Sequence, residues 1–119
     1  MSDAVERFLR SLETRDYEGL AHALTPTARL RALVPTALRE AEGPDAIVER
    51  FRIWTGDLGD YQFSAGEPED VLGQVRLRYR FRGVDAEDGL VESEQHVYAT
   101  VEDGRISALN LVCSGFKPL

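Results

Sequence analysis

The sequence predicts an α+β fold, in which three helices from the N-terminal half pack on a curved, mostly antiparallel sheet. Residues 75–82 read Val-Arg-Leu-Arg-Tyr-Arg-Phe-Arg, an uninterrupted alternation of apolar and charged side chains. This pattern is typical of a strand with one face in the core and one in solvent. Helix-spaced apolar residues occur in the first half of the chain, whereas the second half alternates with a period of two, so the helices precede a long β-meander.

Length and charge limit the possible classes of protein. The 119 residues suffice for one domain with its own core, which we place over residues 1–119. Fourteen basic and twenty-one acidic residues give a net charge of -7, which opposes binding to nucleic acid. The apolar runs are too short to cross a bilayer. Cys113 is the single cysteine and no leader precedes Ser2, so we expect a reduced, cytoplasmic protein.

Three helices and two strands are expected before the meander. The first helix opens at Asp3 and turns Phe8 inward. The second is short and capped by Asp16, with Leu20, Ala23 and Leu24 on its inner side. A strand over residues 28–34 follows.

The third helix begins at Gly43-Pro44-Asp45, where proline suits the first turn and aspartate suits the positive helix end. Phe51 and Trp54 lie on its inner side, and a second strand begins at Tyr61.

The meander is predicted as three strands over residues 71–83, 90–102 and 105–116. Asp103-Gly104 forms a two-residue turn between the last two. This turn predicts four facing pairs: Glu102 with Arg105, Thr100 with Ser107, Tyr98 with Leu109, and Val97 with Asn110. Across the earlier hairpin, the same parity pairs Arg82 with Glu92 and Arg80 with Glu94.

This register divides the meander between an inner and an outer face. The inner face is predicted to hold Tyr79, Ser93, Gln95, Val97, Asn110, Val112 and Ser114, among others. The outer face is predicted to hold the arginines, His96, Cys113 and an apolar patch of Tyr98, Leu109, Leu111 and Leu90. Exposed apolar patches usually mark an interface, so we expect a homodimer joined through the outer sheet face.

Four short motifs occur in a recognisable order along almost the whole chain. They are Arg15-Asp16, Ala28-Arg29-Leu30, Gly43-Pro44-Asp45-Ala46-Ile47 and Glu102-Asp103-Gly104-Arg105-Ile106. With the order of helices and strands, they resemble the NTF2-like superfamily, and within it the SnoaL-like and ketosteroid-isomerase-like proteins. The resemblance implies a cone-shaped barrel around a mostly apolar pocket, and it implies no cofactor. This fold hosts isomerases, cyclases, dehydratases, epoxide hydrolases and binding proteins, so the family alone does not define the activity.

The resemblance also implies where ketosteroid-isomerase chemistry would reside. The carboxylate base falls at Ala32, the tyrosine near Phe8, its supporting tyrosine near Phe51, and the second acid near Val97. All four residues are apolar, whereas this chemistry needs a base and donors for the enolate oxygen. The sequence therefore argues against the standard isomerase mechanism.

Other candidates for catalysis are few. His22, His96 and Asp57 are the residues that could supply a base if the chain is an isomerase, cyclase or dehydratase. Glu94, His96 and Cys113 lie close together in the predicted register, but on the outer face, which disfavours a nucleophile and its base. Two histidines and one cysteine without tight spacing also make a poor metal site, so no metal is expected.

The predicted pocket contains polar residues that need partners. Gln95 and Asn110 are expected to point inward, where an unsatisfied amide is costly. They either bond each other, Ser93, Ser114 or a buried water, or orient a carbonyl or hydroxyl of a ligand.

The expected ligand-binding residues are Phe8, Ala32, Phe51, Trp54, Tyr79, Gln95, Val97 and Asn110. Three hypotheses stay open: a protein that binds a small hydrophobic molecule, an enzyme with non-standard catalytic residues, and a dimeric structural or interaction module.

Overall fold

The computed structural model describes residues 3–119 as three helices packed on one eight-stranded sheet, which confirms the predicted α+β fold. The helices are α1 Asp3–Thr14, α2 Tyr17–His22 and α3 Pro44–Thr55. The strands are β1 Leu24–Val34, β2 Ala37–Glu42, β3 Gly59–Ala65, β4 Glu69–Val71, β5 Gln74–Asp85, β6 Gly89–Glu102, β7 Arg105–Cys113 and β8 Lys117–Pro118. The expectation about a leader concerns Met1 and Ser2, which lie outside the described residues.

The sheet has the strand order β2-β1-β7-β6-β5-β3, with β4 added to β5 and β8 added to β6. Only the β1–β7 pair is parallel among these strands, and the others are antiparallel. The helices cover the inner face of the sheet, and the hydrophobic core lies between them. None of the helices in residues 3–119 combines the length and the apolar character that a membrane span requires.

The helix boundaries follow the capping signals in the sequence. The Asp16 carboxylate accepts a hydrogen bond from the Gly19 amide at 3.0 Å, as predicted for an N-cap. Pro44 occupies the first turn of α3, and Gly43 precedes it with a φ of 86°, a conformation that favours glycine. The second helix is shorter than predicted, because Leu24 already belongs to β1 and is buried against the sheet.

The β5–β6 hairpin has the predicted register. Arg82 is opposite Glu92 and Arg80 is opposite Glu94. The side chains of Tyr79 and its inward neighbours on β5 are buried, and the arginines lie outside. Arg80 contacts both carboxylates, at 2.6 Å from Glu94 and 3.7 Å from Glu92.

The β6–β7 hairpin departs from the predicted register after its second pair. Glu102 faces Arg105 and Val101 faces Ile106, but Thr100 then faces Ala108. Ser107 is therefore an extra residue in β7, a β-bulge that shifts every later pair by one. The predicted pairs of Thr100 with Ser107, Tyr98 with Leu109 and Val97 with Asn110 are wrong. Tyr98 faces Asn110 and Val97 faces Leu111.

This bulge reverses the orientation of the rest of β7, because side chains alternate along a strand. Leu109, Leu111 and Cys113 are buried on the inner face, whereas Asn110 and Val112 are exposed on the outer face. The prediction of an inward Asn110 is thus wrong. Leu109 and Leu111 likewise cannot belong to the predicted outer patch.

Three short strands extend the sheet beyond the prediction. β2 returns along β1, with Leu38 opposite Leu33. β4 and β5 are joined by Leu72 and Gly73, whose φ values are 50° and 85°, as in a type I′ turn. β8 lies beside the beginning of β6, where β7 has already ended.

Candidate ligand-binding site

The inner surface of the cone is lined by the side chains expected there with the exception of Asn110, which is exposed on the outer face. Phe8 comes from α1, Phe51 from α3, Ala32 from β1 and Val97 from β6, and each has 0% exposed surface. Trp54 is half-buried and packs edge-on against Phe51, with 5.1 Å between the ring centroids. These residues share one apolar interior, and the positions that resemble the ketosteroid-isomerase base and acid carry no ionisable group.

The polar part of this interior consists of Tyr79, Ser93, Gln95 and Cys113, which we call the interior polar cluster. Tyr79 and Gln95 are opposite each other on β5 and β6, and the tyrosine hydroxyl donates to the Gln95 Oε1 at 2.5 Å. The Gln95 Nε2 donates to the Cys113 Sγ at 3.5 Å, and the Ser93 hydroxyl is 3.3 Å from the same sulfur. All four side chains are almost completely buried.

Burial raises the pKa of Tyr79 well above its ordinary value, with smaller contributions from Cys113 and Tyr61. The tyrosine therefore stays protonated, because ionising it would place a charge in a low-dielectric interior. Tyr79 is thus a neutral hydrogen-bond donor, and the Gln95 carbonyl is its acceptor. Any ligand oxygen that replaced this carbonyl would accept the same hydrogen bond from the Tyr79 hydroxyl.

The interior is closed in this conformation. Phe8, Phe51 and Val97 have no accessible surface, so no water-sized space adjoins them. The rings of Phe8, Phe63 and Phe81 lie 6.2, 5.5 and 5.3 Å from the Tyr79 ring, centroid to centroid. A molecule that reaches Tyr79 must therefore displace part of this packing.

A surface hollow of about 440 Å³ lies between α1 and β3. Its apolar lining is Leu9, Phe63, Ala65 and Pro68, and its charged rim is Glu6, Arg10 and Glu13. Phe63 separates this hollow from Tyr79, since its ring contacts both. The hollow therefore lies on the surface and is separated from the interior polar cluster by the Phe63 ring.

The helices beside this hollow are held together by polar contacts. The Arg15 guanidinium donates to the backbone carbonyls of Thr55 and Leu58 at 3.0 and 2.9 Å. It also lies 4.5 Å from the Tyr61 ring, and the Tyr61 hydroxyl donates to the Leu12 carbonyl at 2.7 Å. These contacts join the ends of α1 and α3 to β3.

The three catalytic candidates lie outside the interior. His22 is exposed at the end of α2 and lines a hollow between α1 and α2. Asp57 is exposed after α3. His96 is on the outer face, as predicted, where its Nε2 lies 2.5 Å from the Glu94 carboxylate. The structure does not bring these three residues to one site.

The Glu94 carboxylate has a perturbed titration. Hydrogen bonds from His96 and then from Arg80 lower its pKa below the ordinary value of 4.5. This shift belongs to a solvated ion-pair cluster on the outer sheet face. No group of three histidine, cysteine, aspartate or glutamate side chains within residues 3–119 has the arrangement needed to hold a metal ion.

Cys113 is the member of the interior polar cluster that sequence reasoning placed on the wrong face. The signal that could have placed it correctly is the spacing of Ile106 and Leu109, two large apolar residues separated by an odd number of positions. Both can face the core only if the strand contains a bulge. Both are fully buried.

The outer face carries a different apolar patch from the predicted one. Leu38, Leu33 and Val112 lie side by side across β2, β1 and β7, and their exposed fractions are 47%, 52% and 56%. Tyr98 lies on β6 next to Asn110 and is 40% exposed. We call Leu33, Leu38, Tyr98 and Val112 the outer patch.

Comparison with known proteins identifies the class of fold and then the family. A candidate ketosteroid isomerase from Kribbella flavida has a TM-score of 0.71 and 15% identity, covering 98% of this chain and 79% of that chain. A candidate polyketide cyclase from Sinorhizobium meliloti has a TM-score of 0.69 and 18% identity, covering 93% and 94%. An LEH-like epoxide hydrolase from M. tuberculosis has a TM-score of 0.71 and 18% identity, covering 93% of this chain and 80% of that chain. These similarities establish an NTF2-like, ketosteroid-isomerase-like fold.

The family model of the SnoaL-like domain matches residues 5–109. The chain therefore belongs to the SnoaL-like family of the NTF2-like superfamily, as the motifs predicted. No curated protein sequence matches it.

Proposed function

We propose that this SnoaL-like protein binds a small, mostly apolar molecule inside its cone, with the Tyr79–Gln95 pair as the polar anchor. The observation that carries this proposal is the position of that pair. A neutral hydroxyl donor and an amide lie in an interior otherwise lined by aromatic and aliphatic side chains. Ligand pockets commonly combine apolar walls with a few convergent polar groups.

The interior chemistry favours an uncharged ligand with one carbonyl or hydroxyl group. The polar residues buried in residues 3–119 are Ser11, Thr55, Ser93 and Gln95, with Tyr79 and Cys113 among the buried core residues. Tyr79 can donate to a ligand oxygen, and the freed Gln95 amide can accept or donate in turn. An ionised ligand would lose its hydration without meeting a buried opposite charge.

Binding requires an open form of the protein. Because the interior is filled in this conformation, the measured dissociation constant equals the intrinsic one divided by the open fraction. Opening also exposes aromatic surface to water, which costs free energy. We therefore expect binding to be strengthened by changes that loosen the packing over the interior polar cluster.

Thermal-shift screening against small lipophilic ketones, steroids and aromatic polyketides tests this proposal. A ligand should raise the melting temperature, and titration calorimetry should then give its dissociation constant. Tyr79→Phe should weaken binding about tenfold, the effect of losing one net hydrogen bond.

The matched control is Tyr98→Phe, which removes a hydroxyl from the outer face and should leave the dissociation constant unchanged. Unshifted melting with every compound, or equal affinity of the wild type and Tyr79→Phe, contradicts the proposal.

A second candidate function, association into a homodimer through the outer patch, is favoured by the alignment of Leu38, Leu33 and Val112 in one row of the sheet. Isologous contacts between two copies would cover such a surface. This row also ends next to His96 and the arginines of β5, which would form the polar rim of the contact.

Sedimentation equilibrium at micromolar concentration tests this candidate. The wild type should have twice the mass of the 13.3 kDa chain, and Leu33→Lys with Val112→Lys should produce monomers. Ile53→Lys is the control, because Ile53 is 57% exposed on α3, away from the sheet. A monomeric wild type, or a dimer that survives the double substitution, argues against this interface.

A further inference from the structure

The five residues after Ser114 form a strap across one end of the cone, which we call the 115–119 strap. β7 ends at Cys113, and the chain turns at Gly115, whose φ is 76°. A Cβ at Gly115 would lie 2.8 Å from the Pro35 ring, so the strap passes tightly against the β1–β2 turn. Lys117 and Pro118 then pair with Glu92 and Val91 at the beginning of β6.

The strap lies against the interior polar cluster at Cys113 and against its neighbour Phe81. The Phe116 ring stacks on Phe81 at 6.5 Å with 26° between the ring planes. Phe81 is opposite Ser93 on the neighbouring strand and contacts Tyr79. The Gly115 amide also donates to the Cys113 Sγ at 3.4 Å. Phe116 is therefore the outer ring of a stack that continues through Phe81 to Tyr79.

The strap is held by a short backbone pairing with β6 and by the Phe116 ring. The Ser114 amide donates to the Glu94 carbonyl at 2.9 Å, and the Leu119 amide donates to the Leu90 carbonyl at 3.0 Å. Pro118 has no N–H to donate, and residues 117–119 are exposed. Segments with few buried apolar contacts and exposed backbone hydrogen bonds open at lower free energy than the core.

The contacts that join α1, α3 and β3 are stronger, because they include side-chain hydrogen bonds from Arg15 and Tyr61. Arg15 bonds two carbonyls of the α3 end, and Tyr61 bonds the end of α1. The Tyr17 hydroxyl adds a contact of 2.8 Å to the Thr55 hydroxyl. Opening beside Phe63 would disturb this network, whereas opening beneath Phe116 would leave it intact.

We propose that the 115–119 strap opens as a unit and that the gap beneath Phe116 is the entrance to the interior polar cluster. This inference rests on the proposed function for the identity of what enters, but the opening itself is a property of the chain. It assigns the strap, rather than the hollow between α1 and β3, as the gate. Strap opening then sets the open fraction that limits ligand affinity.

The reactivity of Cys113 tests the opening without any ligand. Cys113 is the single thiol of the chain. It is buried and accepts a hydrogen bond from the Gly115 amide of the strap, so 5,5′-dithiobis(2-nitrobenzoate) reaches it only after opening. The wild type should react at a rate almost independent of low urea concentrations, because a local opening exposes little surface. A rate that rises with urea as steeply as global unfolding overturns the proposal, and this measurement needs no variant.

Two matched aromatic truncations locate the entrance. Phe116→Ala should accelerate labelling about tenfold relative to its own unfolding equilibrium, because the stacked ring and its apolar burial are lost. Phe63→Ala removes a half-buried ring that also contacts Tyr79 and Phe81, and it should leave the normalised rate unchanged. Equal acceleration by both variants, or by Phe63→Ala alone, overturns the assignment of the strap.

The same variants separate this inference from the proposed function. If Cys113 labels through local opening but no compound shifts the melting temperature, the strap opens and the ligand proposal fails. If a compound binds while Cys113 labels only through global unfolding, the ligand proposal stands and the strap inference fails.

Discussion

At the residue scale, Gln95 is a buried amide that depends on hydrogen bonds with two neighbouring side chains. It is fully buried on β6, where an amide without hydrogen bonds would be strongly destabilising. Tyr79 supplies a donor to its carbonyl, and Cys113 accepts weakly from its amide nitrogen. The hydrogen-bonding groups of Gln95 are thus satisfied by other side chains of the interior polar cluster. Removing one side chain of this cluster leaves another without its partner.

A double-mutant cycle should reveal this coupling. Gln95→Leu should lower the free energy of unfolding by about 1–3 kcal/mol, because the buried Tyr79 hydroxyl loses its acceptor. Combining it with Tyr79→Phe should cost less than the sum of the two single changes, since neither orphaned group then remains. Urea unfolding at constant pH measures all four free energies. If the loss of unfolding free energy in the double variant equals the sum of the two single losses, the two side chains are not coupled.

Glu94 predicts how stability changes in acid. Its pKa is lowered in the folded state by hydrogen bonds from His96 and Arg80. A carboxylate with a lowered folded pKa adds stability above its unfolded pKa, and this stability is lost as the pH falls through the folded value. The contribution should therefore disappear below the ordinary value of 4.5.

Urea midpoints between about pH 6 and about pH 3 measure this contribution. Glu94→Gln should flatten the decline in acid, and the effect should be modest because the ion pairs are solvated. Glu87→Gln, in the exposed turn between β5 and β6, should decline as the wild type does. If the urea midpoint of Glu94→Gln falls in acid as steeply as that of the wild type, Glu94 does not make this contribution.

At the element scale, the Ser107 bulge decides which face of β7 meets the core. The two-residue turn correctly fixes the pair of Glu102 and Arg105, but turn geometry cannot anticipate an extra residue two positions later. The apolar alternation of Leu109, Leu111 and Cys113 carries that information. The free energy gained by burying these three side chains exceeds the cost of interrupting the hydrogen-bond ladder. An uninterrupted ladder of the same residues would expose two leucines to water.

Deleting Ser107 tests this assignment. The deletion places Leu109 two positions after Ile106, so a regular ladder keeps Ile106, Leu109 and Leu111 inward with the same partners on β6. We therefore expect a cooperative fold and a loss of less than about 2 kcal/mol. Ser107→Ala keeps the bulge and removes only a long hydrogen bond to the Thr100 carbonyl, so it should cost less than about 1 kcal/mol. Circular dichroism during urea unfolding measures both. A deletion variant that no longer unfolds cooperatively contradicts the assignment of Ser107 as the extra residue.

At the scale of the whole molecule, the predictable parts are those that repeat over many residues. The helices, the β5–β6 register and the inward orientation of Phe8, Phe51 and Tyr79 follow from apolar periodicity and capping. The β2 strand has helix-favouring residues and forms because β1 offers a partner edge, which local sequence does not reveal. Whether the cone is open or filled depends on how side chains from two helices and five strands fit together, and no local pattern encodes that fit.

The Ser107 bulge also affects how this chain should be aligned with other members of its family. A relative whose last hairpin lacks the bulge matches this chain in structure only if the alignment leaves Ser107 opposite a gap. Without that gap, Asn110 is compared with residues that line the relative's interior, and Leu111 with residues on its surface. Transfer of site residues from relatives to this strand is therefore valid only after the one-residue offset has been applied.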